Sequence, residues 1–149
     1  MSTFTQLYVH IIFGTSGRIG ILHGDKQNQI QKYITGIIKN RGHTPIIING
    51  MPDHIHILIG LNPDKTISDL VKEIKRCSTN YINEQGWFKG KFKWQKGYGA
   101  FSYGQSQLQK IIHYIKNQER HHRKRSFREE YKQLLDSFEI DYSEALLPK

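Results

Sequence analysis

The run from His54 to Ile59 constrains this chain more than any other stretch. Ile55, Ile57 and Ile59 alternate with His54 and His56, and successive side chains of a β-strand point to opposite faces. A strand here sends three isoleucines to one side and two imidazoles together to the other. The isoleucine side needs a covering layer, so the fold must pair a sheet with helices that pack on it.

The flanking pattern supplies both. Residues 4–13 end in Val9, Ile11, Ile12 and Phe13 and are closed by turn-like residues 14–17, which reads as a first strand. Over residues 25–40, Ile30, Tyr33, Ile34, Ile37 and Ile38 recur at helical spacing, with Gly42 as the stop. Two β-branched runs, 44–49 and 55–59, flank Gly50, Met51, Pro52 and Asp53 as a hairpin. Thr66 and Asp69 form a capping box for a helix over 67–85, closed by Gly86. Residues 88–103 are aromatic, basic and glycine-rich, and Phe92 with Trp94 suggests a fourth strand ahead of a loop at 97–102. Capping boxes at Ser106 with Gln109 and at Ser126 with Glu129 open two more helices, to about residue 122 and about residue 138, before a weakly ordered tail at 139–149. Strand, helix, strand, strand, helix, strand is the order of a ferredoxin-like or RRM-like split βαβ fold, an α+β antiparallel sheet with helices on one face. The tyrosine-bearing helix is an addition at the C-terminal side, and the other sheet face is left for a ligand.

At 149 residues the chain has room for one core, so residues 1–138 read as a single domain followed by the tail. Twenty-two Lys and Arg against 13 Asp and Glu give a net charge of +9, which favours a polyanionic partner, nucleic acid above all, over a merely soluble basic surface. No apolar run nears the roughly 20 residues that span a bilayer, and no signal peptide opens the chain, so the expected location is the cytoplasm. Cys77 is the single cysteine, which excludes an internal disulfide and a thiolate zinc site. No P-loop glycine motif is present, so no ATP site is expected.

Two imidazoles on one strand face can share a divalent ion, although the same spacing also arises in ordinary strands. Asp53 suits two roles, an acceptor that orients an imidazole from behind and a turn residue. On the helix from 106, Leu108, Ile111, Ile112 and Ile115 form an apolar stripe, and beside it Tyr114 and Gln118 lie one turn apart. Gln118 can offer an amide oxygen to the ion and Tyr114 a hydroxyl nucleophile to a phosphate, though a tyrosine at a domain edge is also common. Nitrogen and oxygen donors without thiolate suit magnesium or manganese better than a closed zinc site. His113, His121 and His122 fit solvent or phosphate contact better than chemistry.

These residues carry a likeness. Pro52-Asp53-His54-Ile55-His56, Trp94, the stretch Gly97-Tyr98-Gly99-Ala100-Phe101-Ser102 and Tyr114-Ile115-Lys116-Asn117-Gln118 followed by His121-His122 together resemble the HUH-class single-tyrosine transposases of small bacterial insertion sequences, including the REP-associated relatives. The resemblance implies metal ligation by His54, His56 and Gln118, attack on single-stranded DNA by Tyr114, and a 5′-phosphotyrosine intermediate. It also implies hairpin-marked DNA ends and a homodimer in which the tyrosine helix of one subunit can complete the histidine site of the other. The basic groups to test for DNA contact are Lys72, Lys75, Arg76, Arg120, Arg123, Lys124 and Arg125. The aromatics of the 97–102 loop fit core closure better than base stacking. Two rivals stand: an RRM-like module that binds without cutting, and a domesticated relative that processes chromosomal repeats.

Overall fold

Alternation along β1 (Tyr8–Gly14) and β3 (His54–Gly60) decides how the sheet is covered. In the computed structural model, which describes residues 1–18, 20, 22–118 and 125–148, these strands pair antiparallel with Val9 opposite Ile59, Ile11 opposite Ile57 and Phe13 opposite Ile55. Directly opposed residues share a face, so one face is continuously apolar. β2 (Thr44–Met51) and β4 (Gly99–Tyr103) complete an antiparallel sheet in the order β2-β3-β1-β4. Each buried isoleucine contributes roughly 1.5–3 kcal/mol, and a one-residue slip would move all of them to the opposite face, so the register is strongly held.

The apolar face is covered by α1 (Gly24–Asn40) through Ile30, Ile34 and Ile38, and by α2 (Ile67–Gln85) through Leu70, Val71, Ile74 and Ile82. α2 starts where the capping box placed it: Thr66 Oγ1 accepts from the Asp69 amide at 3.1 Å. It ends at Gly86, whose φ of 65° is left-handed.

Four expectations are corrected. The fourth strand is not at Phe92 and Trp94 but at Gly99–Tyr103, in the stretch read as a loop. Trp94 makes only an isolated bridge to Thr15. Its indole and Phe92 are core anchors instead: Trp94 Nε1 donates to Ser78 Oγ at 2.9 Å, and the Asn83 side chain clamps the Phe92 backbone. Gly99, taken as a loop marker, is a close approach in which a Cβ would meet Ile12 Cγ2 and Tyr131 Oη at 3.0 Å. The second correction concerns the other sheet face, which is not open. α3 (Leu108–Lys116) packs Ile111 and Ile115 on Leu58, while α4 (Phe127–Ser137) brings Phe127 and Leu135 against Ile12 and Phe101.

The third concerns the segment after Phe138, which is docked: Glu144–Leu146 form a short 3-10 turn, Leu147 is buried, and Arg128 donates to the carbonyls of Glu144 at 2.9 Å and Pro148 at 3.1 Å. β1 also starts four residues later than expected, leaving Phe4 exposed. No helix among the described residues is long and apolar enough to cross a membrane.

Candidate active site

The second sheet face carries His10 and Ile12 from β1 and His54, His56 and Leu58 from β3, all fully buried beneath α3 and α4. His54 and His56 share this face because they are two apart on one strand. The His54 ring stacks on Phe127 of α4 with centroids 4.2 Å apart and planes 9° apart. Its Nδ1 lies 2.7 Å from Asp53 Oδ1, the orienting contact considered for that aspartate, and this leaves Nε2 toward the interior.

What Nε2 meets is a residue that the spacing arguments missed. Glu130, fully buried on the first turns of α4, places Oε1 3.1 Å from His56 Nε2 and 3.3 Å from His54 Nε2. Its Oε2 accepts a hydrogen bond from the Tyr114 hydroxyl. The signal was present in the sequence as an acid lying among Phe127, Tyr131 and Leu134 on a helix, where a carboxylate inside an apolar stripe marks a buried charge.

Tyr114 stands on α3 with its ring 5.9 Å from that of His56, so the tyrosine helix meets the histidines of its own chain. Arg125 Nη2 donates to the phenol oxygen at 3.2 Å and lies 3.8 Å from Glu130 Oε2. Burial, then the Glu130 charge and hydrogen bond, push the Tyr114 hydroxyl well above the usual phenol range, with Gln118 and Arg125 pulling weakly the other way. The phenol is therefore protonated at neutral pH. For His54, burial alone would lower the pKa, but the hydrogen bonds and charges of Asp53 and Glu130 outweigh it and raise it. His10, which the sequence reading passed over, is held well below the ordinary imidazole value by burial and by His56.

The arrangement fits a divalent cation. One atom each from His54, His56 and Glu130 lie within 4.8 Å of one another, a nitrogen and oxygen set suited to a hard or borderline ion. Gln118, expected as the third ligand, is also fully buried; its Nε2 donates to the Tyr114 carbonyl at 3.2 Å, and its Oε1 has no hydrogen-bond partner among the described residues. A buried, unsatisfied amide oxygen is costly without a partner, and a cation is one such partner. Thus α4 supplies a carboxylate where the sequence reading had only the α3 amide.

The basic candidates separate. Lys75 is half-buried, donates to the carbonyls of Gln95 at 2.8 Å and Gly97 at 2.6 Å, and has its pKa lowered to about 8 by burial, so its ammonium is engaged within the fold. Arg76 pairs with Glu73 at 2.6 Å, and Lys72 is exposed. All three stand on α2, which covers the sheet face opposite the histidines. Arg125, one of the groups to test for DNA contact, reaches the phenol. Arg120, Arg123 and Lys124, and the neighbouring His121 and His122, lie outside the described residues.

The family described as transposase, IS200-like, matches residues 3–118 of the chain. The chain belongs to that family. The transposase is 27% identical over 120 residues to the ISDra2 transposase TnpA of Deinococcus radiodurans, covering 76% of this chain and 84% of that one. Among solved structures, a Deinococcus radiodurans protein described as a transposase superposes with a TM-score of 0.63 at 24% identity, over 79% of this chain and 95% of its own. A REP-associated tyrosine transposase bound to a REP hairpin has the same TM-score at 17% identity, over 82% of this chain and 74% of its own. The fold is thus shared with a protein described as a transposase and with a REP-associated tyrosine transposase. Family membership implies DNA cleavage and strand transfer as the activity.

Proposed function

We propose that this transposase cuts and rejoins single-stranded DNA at hairpin-marked ends through a 5′-phosphotyrosine on Tyr114. The observation that carries the reading is the convergence of a nucleophile and an ion-holding set on one carboxylate, with Glu130 facing His54 and His56 through one oxygen and the Tyr114 hydroxyl through the other. A resident magnesium or manganese ion, held by His54, His56 and Glu130 with Gln118 as a further donor, would polarise the oxygens of the scissile phosphate.

The side chains account for the rest. Because burial keeps the phenol protonated, attack needs an acceptor for its proton, and Glu130 Oε2 is already hydrogen-bonded to it. The Tyr114 oxygen bonds to phosphorus, the bond from phosphorus to the 3′ oxygen breaks, and the proton accepted by Glu130 passes to that oxygen, which leaves as a free 3′-hydroxyl. Arg125, 3.2 Å from the phenol oxygen, offsets negative charge at the attacking atom. Asp53 holds the His54 ring in place. Rejoining reverses the step with a second 3′-hydroxyl, so the phosphodiester energy is kept and no ATP is consumed. DNA contact is assigned to Arg120, Arg123 and Lys124, which follow Gln118 in the sequence, and to Lys72 on α2. The active form is a homodimer in this reading, each phenol serving the histidines of its own subunit, and sedimentation of the purified protein tests it.

The decisive experiment incubates the protein with manganese and end-labelled single-stranded DNA from the ends of its own element. A denaturation-resistant adduct is expected for wild type and none for Tyr114→Phe. An adduct in Tyr114→Phe would assign the nucleophile elsewhere. Wild type that binds the DNA without ever forming one would favour a binding module. His54→Ala and Gln118→Ala should lose adduct formation while retaining hairpin binding.

A further inference from the structure

The cluster has a buried histidine that its chemistry does not use. His10 lies on β1 between its cross-strand partners Leu58 and Phe101, fully buried, with its ring plane within 15° of that of His56. Its Nε2 is 2.8 Å from His56 Nδ1, while its own Nδ1 has no partner among the described residues. Two ring nitrogens at 2.8 Å require one hydrogen between them, so one imidazole donates and the other accepts.

The choice is not symmetric for the site. When His10 Nε2–H donates, His56 carries its own hydrogen on Nε2 and points it at Glu130 Oε1, 3.1 Å away; that tautomer has no lone pair for an ion. When His56 Nδ1–H donates to His10 Nε2, the His56 Nε2 lone pair faces Glu130 and His54. Which nitrogen of a histidine can hold a metal is set by the hydrogen bond that the other one makes. An aliphatic residue would fill the position beside Leu58 and Phe101 without leaving an unsatisfied Nδ1, so packing alone does not call for an imidazole there.

We propose that His10 is a positioning residue for the cation site: its Nε2 accepts the hydrogen of His56 Nδ1 and so holds His56 as the tautomer whose Nε2 presents a lone pair for ligation. This rests on the reading of His54, His56 and Glu130 as an ion site. In that arrangement each ring keeps one hydrogen, on His56 Nδ1 and on His10 Nδ1. Both tautomeric arrangements carry two hydrogens on the pair, so ion binding here involves no net gain or loss of protons on the two rings.

The test compares wild type, His10→Phe, which keeps an aromatic ring and removes the acceptor, and His10→Gln, which restores an acceptor. Manganese affinity is measured from the electron paramagnetic resonance signal of the free ion, with thermal melts run alongside. His10→Phe should bind manganese about 10–100-fold more weakly, and His10→Gln should recover most of the loss. A His10→Phe protein with wild-type affinity overturns the proposal, as does a His10→Gln protein as weak as His10→Phe. Should His10→Phe fail to fold, long-range proton–nitrogen NMR on the histidine-labelled wild type with saturating magnesium decides. Hydrogen on His56 Nδ1 supports the assignment, and hydrogen on Nε2 overturns it. Wild type that binds no manganese would remove the ion site itself, an outcome separate from any difference between variants.

Discussion

Glu130 shows how a buried carboxylate is sustained by what surrounds it. Two imidazoles, a phenol and the Arg125 guanidinium converge on its two oxygens, and removing one partner from such a set typically costs about 3–5 kcal/mol because the remaining charge stays buried. The same reasoning applies in milder form far from the site. His43, buried in the turn between α1 and β2, accepts a hydrogen bond on Nδ1 from the Asn62 amide at 3.0 Å. Burial first and Lys65 second lower its pKa from the ordinary 6.5. The folded protein therefore takes up this proton less readily than the unfolded chain. The contribution of His43 is complete above the unfolded value and is lost as pH falls through it toward the folded value. Urea titrations at pH 7.5 and pH 5 should show a smaller acid-side loss of stability in His43→Gln than in wild type. His10, lowered in the same direction, is common to both proteins and cancels in the comparison. An equal or larger loss in the variant would show that His43 does not titrate as its surroundings require.

At the level of elements, α4 holds the site together because it delivers both Phe127 to His54 and Glu130 to the cluster. Its start depends on Ser126 Oγ, which accepts from the Glu129 amide at 3.2 Å. Ser126→Ala should cost about 1 kcal/mol in urea unfolding and should also weaken manganese binding, since the frayed turn is the one that carries Glu130. Ser137→Ala at the far end of α4, where the hydroxyl donates to the Leu134 carbonyl at 3.1 Å, should leave manganese affinity unchanged; equal weakening in both would dissociate the cap from the site. The starts of α2 and α4 were legible in the sequence because a cap is a local pattern of two residues. The shared face of His54 and His56 was legible because strand period is local too. β4 was not: its glycine looked like a turn signal, and only the approach of Ile12 and Tyr131 from distant segments shows that it is there for close packing. Local spacing marked Glu130 only as an acid inside an apolar stripe and gave no sign of His10, and their partners in the cluster lie 74 and 46 residues away on other elements. The docking of residues 139–148 escaped notice for the same reason, since Arg128 and the Leu147 side chain fix it from within a nonlocal cluster.

For the molecule as a whole, a net charge of +9 matters less than where the cations remain available. On α2, Lys75 is bonded to two carbonyls and Arg76 to Glu73, whose carboxylate also takes Arg41 at 2.9 Å and is held at a pKa of about 2, by the Arg76 hydrogen bond foremost. Only cations that exchange condensed counterions at DNA phosphates contribute to the salt dependence of binding, at a slope of about −0.7 per phosphate for single strands. Contact with five phosphates would give a slope near −3.5 and roughly a hundredfold loss of affinity between 50 and 200 mM salt. Fluorescence anisotropy with single-stranded DNA over that range should therefore give a steep line for wild type. Lys75→Ala should keep the slope while lowering the melting temperature, because its ammonium bridges Gln95 and Gly97 to α2. Lys72→Ala should keep the melting temperature and flatten the slope by about 0.7, the signature of one lost phosphate contact. If Lys72→Ala leaves the slope intact, α2 is outside the DNA path, and the strand is confined to the side of the sheet on which Tyr114 and the histidines lie.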